Sequence, residues 1–368
     1  MELGLGLLAG RCANGGVRAL SEYSLGELED EFSRSGIKAS HAAPVLRAYY
    51  RGGGERSWGD LVLPKALLGV LGDAPPRAAE TVVRQRASDG TCKLLLRLAD
   101  GRSVETVLMP DFRDDRAAGC VSSQVGCAMG CDFCATTKTG FERNLSAGEI
   151  VEQFLALRRE AIADGRRLQT LVFMGMGEPM LNLEAVTEAV RRIAGNELGG
   201  LGWRQVTVST VGIVPGIDAL AGSGLGVHLA VSLHAPDDET RARLLPMGRR
   251  YGVEEILAAA DRYQSATGRP VTIQYCLLGG VNDSPGDAGR LAALLSGRRM
   301  HVNLLRYNPT GISLRGVAYV PVADEAAAAF AAQLKARGVV AHFRRPRGRD
   351  IDAACGQLRR RADPAAGD

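Results

Sequence analysis

The 368-residue sequence contains little that would direct it to a membrane or out of the cell. No apolar run is long enough to span a bilayer, and residues 1–10, MELGLGLLAG, are too short and too rich in glycine for the apolar core of a secretory signal. Residues 1–20 also lack the Ser-rich amphipathic pattern of an organellar transit peptide, although they leave that interpretation open. We therefore expect a cytoplasmic protein with no membrane association, whose thiols stay reduced and bind metal or react.

An excess of charge of one sign is also missing. The net charge is only +4, which is weak support for a nucleic-acid partner. Positive charge is instead concentrated near the end of the sequence, at Arg344, Arg345, Arg347, Arg349 and Arg359–Arg361. Such a cluster can neutralise phosphates, but a solvated basic segment explains it equally well. The composition is otherwise that of an ordinary globular protein, with 46% hydrophobic residues.

Local signals divide the chain into five parts. Ser24 and Glu27 form a capping-box pattern that opens a helix, and further apolar segments follow up to residue 71. Turn signals at Asp89-Gly90 and Asp100-Gly101 separate three short strand-like runs. We predict an N-terminal extension that is a candidate for disorder at 1–20, a small helical accessory domain at 21–76, a β meander at 77–116, a strand–helix domain at 117–345 and a basic C-terminal segment at 346–368.

From residue 117 onward, apolar strand-like runs alternate with helical ones. This alternation predicts an α/β fold with a parallel sheet, either open or rolled into a barrel. When a strand directly before Cys127 is included, there are about six strand–helix units, which indicates a partial (β/α)6 barrel rather than an eightfold one. The residues that carry the chemistry are then expected at the carboxyl ends of the strands.

Three closely spaced cysteines are the most specific feature of the chain. Cys127, Cys131 and Cys134 form a CxxxCxxC run in a polar loop that contains Gly126 and Gly130. Three buried thiols acting as small apolar groups are an alternative, but the polar loop argues against it. A structural zinc site needs a fourth ligand, and no neighbouring His or Cys has the required spacing. Three thiolates suit a [4Fe–4S] cluster with one iron open to another ligand.

Further polar residues follow the predicted strands. Gly177 and Glu178 lie in the turn GMGEP at 175–179, directly after an apolar run, and a carboxylate there can bind an ammonium group. A lone polar residue is more often structural, so the argument depends on repetition at several strand ends. The full set comprises Gly177, Glu178, Ser209, Ser232, Leu233, His234 and Asn308. The side chains of Ser209, Ser232, His234 and Asn308 are suited to bind ribose hydroxyls and a carboxylate.

Several longer motifs resemble those of one family. They are CVSSQVGC at 120–127, CxxxCxxC at 127–134, GFERNL at 140–145, GMGEPMLN at 175–182, SLHAP at 232–236 and DIDAACGQL at 350–358. The cysteine loop alone, with Phe133 before its last cysteine, resembles the radical SAM superfamily. Together the motifs resemble the RlmN/Cfr family of radical SAM methyltransferases, which act on an adenine of 23S ribosomal RNA. The resemblance implies a partial radical SAM barrel preceded by a small helical domain.

The resemblance also implies a role for single residues. The three clustered cysteines hold the [4Fe–4S] cluster, and the strand-end set holds S-adenosylmethionine, of which each turnover consumes two molecules. One molecule methylates Cys355, and a radical derived from the second activates that methyl group for addition to adenine. Cys120 then attacks the Cys355 sulfur, which releases the RNA and leaves a disulfide. Glu105 matches a family proton acceptor, although the residues alone favour a solvent-facing strand position, and the group that removes the ring proton stays open.

The favoured function is therefore methylation of carbon 2 of an adenine in 23S ribosomal RNA, with tRNA open as a second substrate. Methylation at carbon 8, the Cfr reaction, is the nearest alternative. A non-catalytic iron–sulfur protein that binds RNA or senses redox state is the alternative from another class. The basic clusters and the helical domain at 21–76 are expected to hold folded RNA by shape and phosphate contacts. We also expect a monomer and an external electron donor such as a flavodoxin-like or ferredoxin-like protein.

Overall fold

The computed structural model describes residues 18–55, 58, 61–71, 77–345, 347–353 and 356–358. Cys355 and Arg359–Arg361 lie outside the described residues, and so does almost all of the predicted extension at 1–20. None of the helices in these ranges is both long and apolar enough to cross a lipid bilayer.

Three helices open the described chain: α1 (Leu25–Arg34), α2 (Ala42–Arg51) and α3 (Lys65–Leu71). The predicted capping box is present at the start of α1, where the Ser24 side chain accepts from Glu27 N and the Glu27 carboxylate accepts from Ser24 N. The end of α2 lies against a long helix of the following domain, α4 (Ala147–Ala163), where Gly53 closely approaches Leu155 and Arg159. The buried Tyr49 hydroxyl donates a 3.1 Å hydrogen bond to Glu152 Oε2, which joins α2 to α4.

An antiparallel meander comes next, as the turn signals predicted. It consists of β1 (Ala79–Arg86), β2 (Cys92–Leu98) and β3 (Ser103–Pro110). β3 also pairs antiparallel with β4 (Arg116–Cys120), which places Val107 opposite Cys120. The meander is therefore continuous with the parallel sheet that begins at β4.

The strand directly before Cys127 does not belong to the barrel. Gln124–Gly126 forms β5, which pairs antiparallel with β6 (Phe141–Asn144) in a separate two-stranded sheet. The expectation that this strand opens the barrel is wrong because the cysteine loop returns the chain to β5, where Cys127 N donates a 2.9 Å hydrogen bond to Gly140 O. The first parallel strand is β4, which ends at Cys120.

The predicted partial barrel is present, with six parallel strands and a short seventh. After β4 the strands are β7 (Arg167–Phe173), β8 (Val206–Thr210), β9 (His228–Ser232), β10 (Val271–Leu277), β11 (Met300–Arg306) and β12 (Ala341–Phe343), in this order across the sheet. Within the described ranges β12 does not pair with β4, so the sheet stays open. Strand residues such as Val231, Ile273 and Val302 are fully buried and form the core.

Helices connect these parallel strands. They are α5 (Leu183–Ala194), α6 (Val214–Ala221), α7 (Asp238–Leu244), α8 (Val253–Thr267), α9 (Pro285–Leu295) and α10 (Asp324–Ala336). A capping box opens α4 at Ser146 and Glu149. Because every connection between parallel strands returns the chain to the same side, the carboxyl ends of the strands share one edge of the sheet.

Candidate active site

One cavity at the carboxyl ends of the strands gathers most of the predicted site residues. Its wall includes Cys127, Cys131, Cys134, Gly177, Glu178, Ser209, Ser232, His234 and Asn308. Leu233 does not contribute to this wall. It is fully buried, and its backbone N donates a 3.1 Å hydrogen bond to Gln274 O. Eight of the predicted cysteine and polar residues, together with Gly177, thus line a single cavity.

The cysteine loop is held by its own backbone and by a threonine. Cys134 N donates to Cys131 O at 3.0 Å, and the Thr137 hydroxyl lies 3.1 Å from Cys131 O and 2.9 Å from Cys134 O. Gly126 has a φ of +74°, and a Cβ there would overlap the carbonyl oxygen of Gly140. Glycine is therefore required where the loop closes on the hairpin.

Burial sets the chemistry of these thiols. Burial raises the pKa of Cys127 to about 12, and it raises the pKa of Cys131 well above its ordinary value, with a further contribution from Cys134. Without a bound cation these thiols are protonated, whereas a metal ligand has to be a thiolate.

The donor set fits a cluster better than a single ion. In the part of the chain that the structure describes, no three His, Cys, Asp or Glu side chains converge as a single-ion site requires. The three cysteines nevertheless line one cavity, so they would together hold a [4Fe–4S] cluster. Three thiols without a carboxylate or an imidazole among them are the soft donors that such a cluster takes.

The turn after β7 presents a buried carboxylate to the same cavity. Glu178 Oε2 accepts a 2.8 Å hydrogen bond from Val211 N, and Oε1 accepts one of 3.1 Å from Met180 N. Burial raises the pKa of Glu178 to about 7 even though these bonds act in the opposite direction. A cationic ligand would relieve the cost of burying this charge, so the position suits an ammonium group.

Side chains of residues 121–126 hold this turn in place by hydrogen bonds. Ser122 Oγ accepts a 2.9 Å hydrogen bond from Met176 N and donates one of 2.7 Å to Glu105 O. Gln124 Oε1 accepts from Glu178 N at 2.8 Å. The two long motifs CVSSQVGC and GMGEPMLN are thus complementary halves of one packed unit that orients Glu178.

His234 lies on the cavity wall as a neutral imidazole. Its Nδ1 accepts a 2.9 Å hydrogen bond from Cys276 N, which leaves the ring proton on Nε2. Burial, with a smaller contribution from the positive charge of Arg241, lowers the pKa of His234 to about 3. The residue can therefore donate a hydrogen bond from Nε2 without carrying charge.

Gln274 is a cavity residue that the sequence did not reveal. It is 4% exposed, and its Oε1 has no hydrogen-bond partner within the described residues. An orphaned buried acceptor on a cavity wall indicates a place for a donor group of a ligand. The available sequence signal was a long amide side chain near the middle of the mostly apolar strand β10.

A second cavity adjoins the first and contains Cys120. The two cavities share five wall residues: Met174, Leu305, Arg306, Asn308 and Arg344. Arg345 and Arg347 extend the wall of the second cavity, so part of the predicted basic cluster lies beside Cys120. Cationic side chains on a cavity wall can bind a phosphate-bearing substrate.

The described residues on either side of Cys355 reach both cavities. Ala353 lines the cavity of Cys120, and Gly356 lines the cavity of the three cysteines. Ala135 N donates to Gly356 O at 2.7 Å, and the Thr136 hydroxyl donates to Leu358 O at 2.6 Å. The C-terminal segment is therefore bonded directly to the cysteine loop.

Glu105 lies outside both cavity walls and does not face solvent. It is 3% exposed and forms an ion pair with Lys93, with 3.1 Å between Nζ and Oε1. The solvent-facing alternative for this residue is wrong, because β3 is covered on both faces.

Comparison with known proteins identifies the class. The Radical SAM superfamily model matches residues 121–292. The crystal structure of a radical SAM methyltransferase from Sphaerobacter thermophilus is similar with a TM-score of 0.86 and 45% sequence identity, over 92% of this chain and 98% of that chain. The fold and the cysteine loop are those of a radical SAM enzyme.

The relatives narrow this to a family. The probable dual-specificity RNA methyltransferase RlmN 1 of Opitutus terrae is 66% identical over 342 residues, which cover 93% of this chain and 96% of that protein. The probable dual-specificity RNA methyltransferase RlmN of Rhodopirellula baltica is 45% identical over 344 residues, which cover 93% of this chain and 90% of that protein. The chain belongs to the RlmN family, which confirms the resemblance seen in the motifs.

Proposed function

We propose that this protein methylates carbon 2 of an adenine in 23S ribosomal RNA and also accepts tRNA. RNA as the substrate class is supported by the names of the relatives, which are dual-specificity RNA methyltransferases. The observation that carries the proposal is the pair of adjoining cavities. One holds three cysteines and the other holds Cys120, and the described neighbours of Cys355 line both.

Cys127, Cys131 and Cys134 would hold a [4Fe–4S] cluster, and S-adenosylmethionine would occupy the rest of the first cavity. When bound, these groups supply one-electron cleavage of the sulfonium to a 5′-deoxyadenosyl radical. The proposed binding set is Gly177, Glu178, Ser209, Ser232, His234 and Asn308, all on the wall of that cavity. Glu178 would accept from the ammonium group, and His234 would donate from Nε2. The burial of both residues keeps water away from the reacting groups.

Cys355 would carry the methyl group between the two substrates. Its thiolate takes a methyl group from one S-adenosylmethionine, forming an S–CH3 bond and releasing S-adenosylhomocysteine. A second molecule is consumed in removing a hydrogen atom from that methyl group, whose carbon then bonds to carbon 2 of the adenine. Glu105 is the proposed acceptor of the ring proton. The adduct also gives up one electron, which restores the electron spent on the second S-adenosylmethionine. The Cys120 thiolate then attacks the Cys355 sulfur and breaks the sulfur–carbon bond, and the released carbon takes up a proton to complete the methyl group. The disulfide that remains is reopened by an external two-electron reductant.

The proposal also defines the partners. Arg344, Arg345 and Arg347 would contact phosphates of an RNA whose target adenine has left its stack. A flavodoxin-like or ferredoxin-like protein would supply electrons, and the enzyme would act as a cytoplasmic monomer.

Mass spectrometry of digested RNA tests this function. RNA treated with the reconstituted enzyme should contain 2-methyladenosine, whereas 8-methyladenosine alone would reject the proposed position and favour the Cfr reaction. Cys355→Ala should abolish methylation, and Cys120→Ala should accumulate a covalent protein–RNA adduct on a denaturing gel. Cys92→Ala is the matched control, since this buried thiol lies on β2 outside both cavities and its loss should leave methylation intact.

A further inference from the structure

A buried lysine, Lys93, lies beside Glu105. Lys93 on β2 and Glu105 on β3 are each 3% exposed, and their charged groups are 3.1 Å apart. Lysine is almost never buried unless it is paired. Even a paired buried charge costs desolvation energy that one partner seldom offsets, so a second acceptor for the ammonium group is expected.

The second acceptor is a backbone carbonyl of the C-terminal segment. Lys93 Nζ donates a 3.3 Å hydrogen bond to the carbonyl oxygen of Asp352, three positions before Cys355. An ammonium group has three donors, and here it uses one on Glu105 and one on the segment. The same side chain therefore contacts the proposed proton acceptor and the backbone that leads to the proposed methyl carrier.

The turn between β1 and β2 holds the same segment by further bonds. Gly348 N donates to Asp89 Oδ2 at 3.1 Å, and Ser88 N donates to Asp350 Oδ2 at 2.9 Å. Residues 347–353 thus rest on the meander, whereas Gly356 and Leu358 are bonded to the cysteine loop. Lys93 is the charged and fully buried member of the meander side of this attachment.

Strand register places this contact next to the Cys120 cavity. Side chains two positions apart on a strand share a face, so Glu105 and Val107 face the same way. Val107 pairs with Cys120 and lines its cavity, and Lys93 lies directly opposite Val107 on β2. The ion pair is therefore one residue removed from the wall at which Cys120 would meet Cys355.

We propose that Lys93 is a positioning residue that couples Glu105 to the segment carrying Cys355, an inference that rests on the proposed function. Its ammonium group balances the negative charge of the buried Glu105 carboxylate. The same group also fixes the backbone before Cys355 at the Cys120 cavity. Loss of the ammonium group leaves the negative charge of buried Glu105 without its ion-pair partner, and it removes the hydrogen bond to the Asp352 carbonyl.

Four variants test the coupling: Lys93→Met, Glu105→Gln, the double variant, and Arg97→Met. Arg97 lies on the same strand, but its ion pair with Glu80 is at the surface, so Arg97→Met should behave as wild type. Lys93→Met should lower kcat for RNA methylation by about tenfold or more, with KM for RNA nearly unchanged, because the loss affects reacting groups rather than RNA contacts. The double variant should regain thermal stability, since both buried charges are gone, but it should not regain kcat.

Hydrogen exchange measures the attachment directly. In Lys93→Met, the amides of residues 347–353 should exchange faster than in wild type, and faster than in Glu105→Gln, which keeps the lysine. Wild-type kcat in Lys93→Met, full recovery of kcat in the double variant, or unchanged exchange of this segment would overturn the inference. Full methylation by Cys355→Ala would overturn the proposed function instead, and the two failures are separable because the exchange measurement needs no turnover.

Discussion

The Tyr319 hydroxyl donates a 2.7 Å hydrogen bond to Asp132 Oδ2, and Asp132 lies between Cys131 and Phe133. Asp132 is 2% exposed, and its backbone N donates to Leu244 O at 2.9 Å. Burial and the Asp132 carboxylate together raise the pKa of Tyr319, so its hydroxyl remains a donor. The loop at 309–321 is thereby fixed to the cysteine loop by a buried carboxylate.

This carboxylate should lower the reduction potential of a cluster held by the three cysteines. Negative charge nearby disfavours the extra electron, and charge and hydrogen bonding around a cluster set its potential. Asp132→Asn should raise the midpoint potential by on the order of tens of millivolts. Tyr319→Phe, which exposes the carboxylate charge, should lower it. Redox titration followed by electron paramagnetic resonance measures both, with exposed Asp114→Asn as the control; equal potentials in all four proteins would contradict the prediction.

Binding of S-adenosylmethionine should weaken as the pH falls below about 7. Burial raises the pKa of Glu178 to about 7, and only the ionised carboxylate attracts an ammonium group. Isothermal titration of the anaerobically reconstituted protein between pH 6 and pH 8 measures this dependence. Glu178→Gln should bind more weakly and should lose the dependence on pH over this range.

The same carboxylate makes the ligand-free protein less stable at higher pH. Its folded-state pKa lies above the ordinary carboxyl value of 4.5, so the folded chain retains a proton that the unfolded chain has released. The contribution of Glu178 to the free energy of unfolding therefore decreases as the pH rises from 4.5 to about 7, by at most about 3 kcal/mol. Thermal unfolding of Glu178→Gln should lack this component, and a pH dependence identical to wild type would exclude it.

Gln274→Leu should weaken binding of S-adenosylmethionine without destabilising the fold. The Oε1 atom of Gln274 has no partner within the described residues, and an unsatisfied buried acceptor costs about 1–3 kcal/mol until a ligand supplies a donor. Affinity should fall by roughly tenfold to a hundredfold, whereas the melting temperature of the ligand-free protein should stay equal or rise. Gln264→Leu, at a surface hydrogen bond to Arg299 O, is the control and should bind normally.

His234 should remain neutral throughout the physiological range. Burial lowers its pKa to about 3, and Cys276 N occupies the Nδ1 lone pair. Nitrogen-15 NMR of histidine-labelled protein should show an Nε2-protonated ring that does not titrate between pH 5 and pH 8. A titration midpoint inside that range would show that the ring is not held by the Cys276 amide.

The sequence was most informative where polar residues recur at the carboxyl ends of successive parallel strands. Ser209, Ser232 and Asn308 could be grouped because parallel strands bring their carboxyl ends to one edge. The cysteine spacing and the glycines around it were readable because loop closure restricts the residues that fit. These signals depend on local sequence and on one repeated architectural rule.

Contacts that depend on strand register and on distant loops could not be predicted in this way. The Lys93–Glu105 pair needs the register of β2 on β3, and the Tyr319–Asp132 bond joins residues 187 positions apart. The β5–β6 hairpin was missed because three- and four-residue strands carry too little periodicity to be distinguished from a loop. Leu233 was grouped with its polar neighbours, but alternation along the chain turns its side chain into the core.

The pairing of β3 with β4 has a consequence for truncation. A chain cut at the predicted boundary near residue 117 would lose the strand that covers Cys120, and β4 would become an uncovered edge of the sheet. Exposed edge strands recruit other chains and lead to aggregation. The barrel is therefore not expected to fold as a stable unit without the meander. Shortened forms intended for crystallisation or engineering should begin before β1.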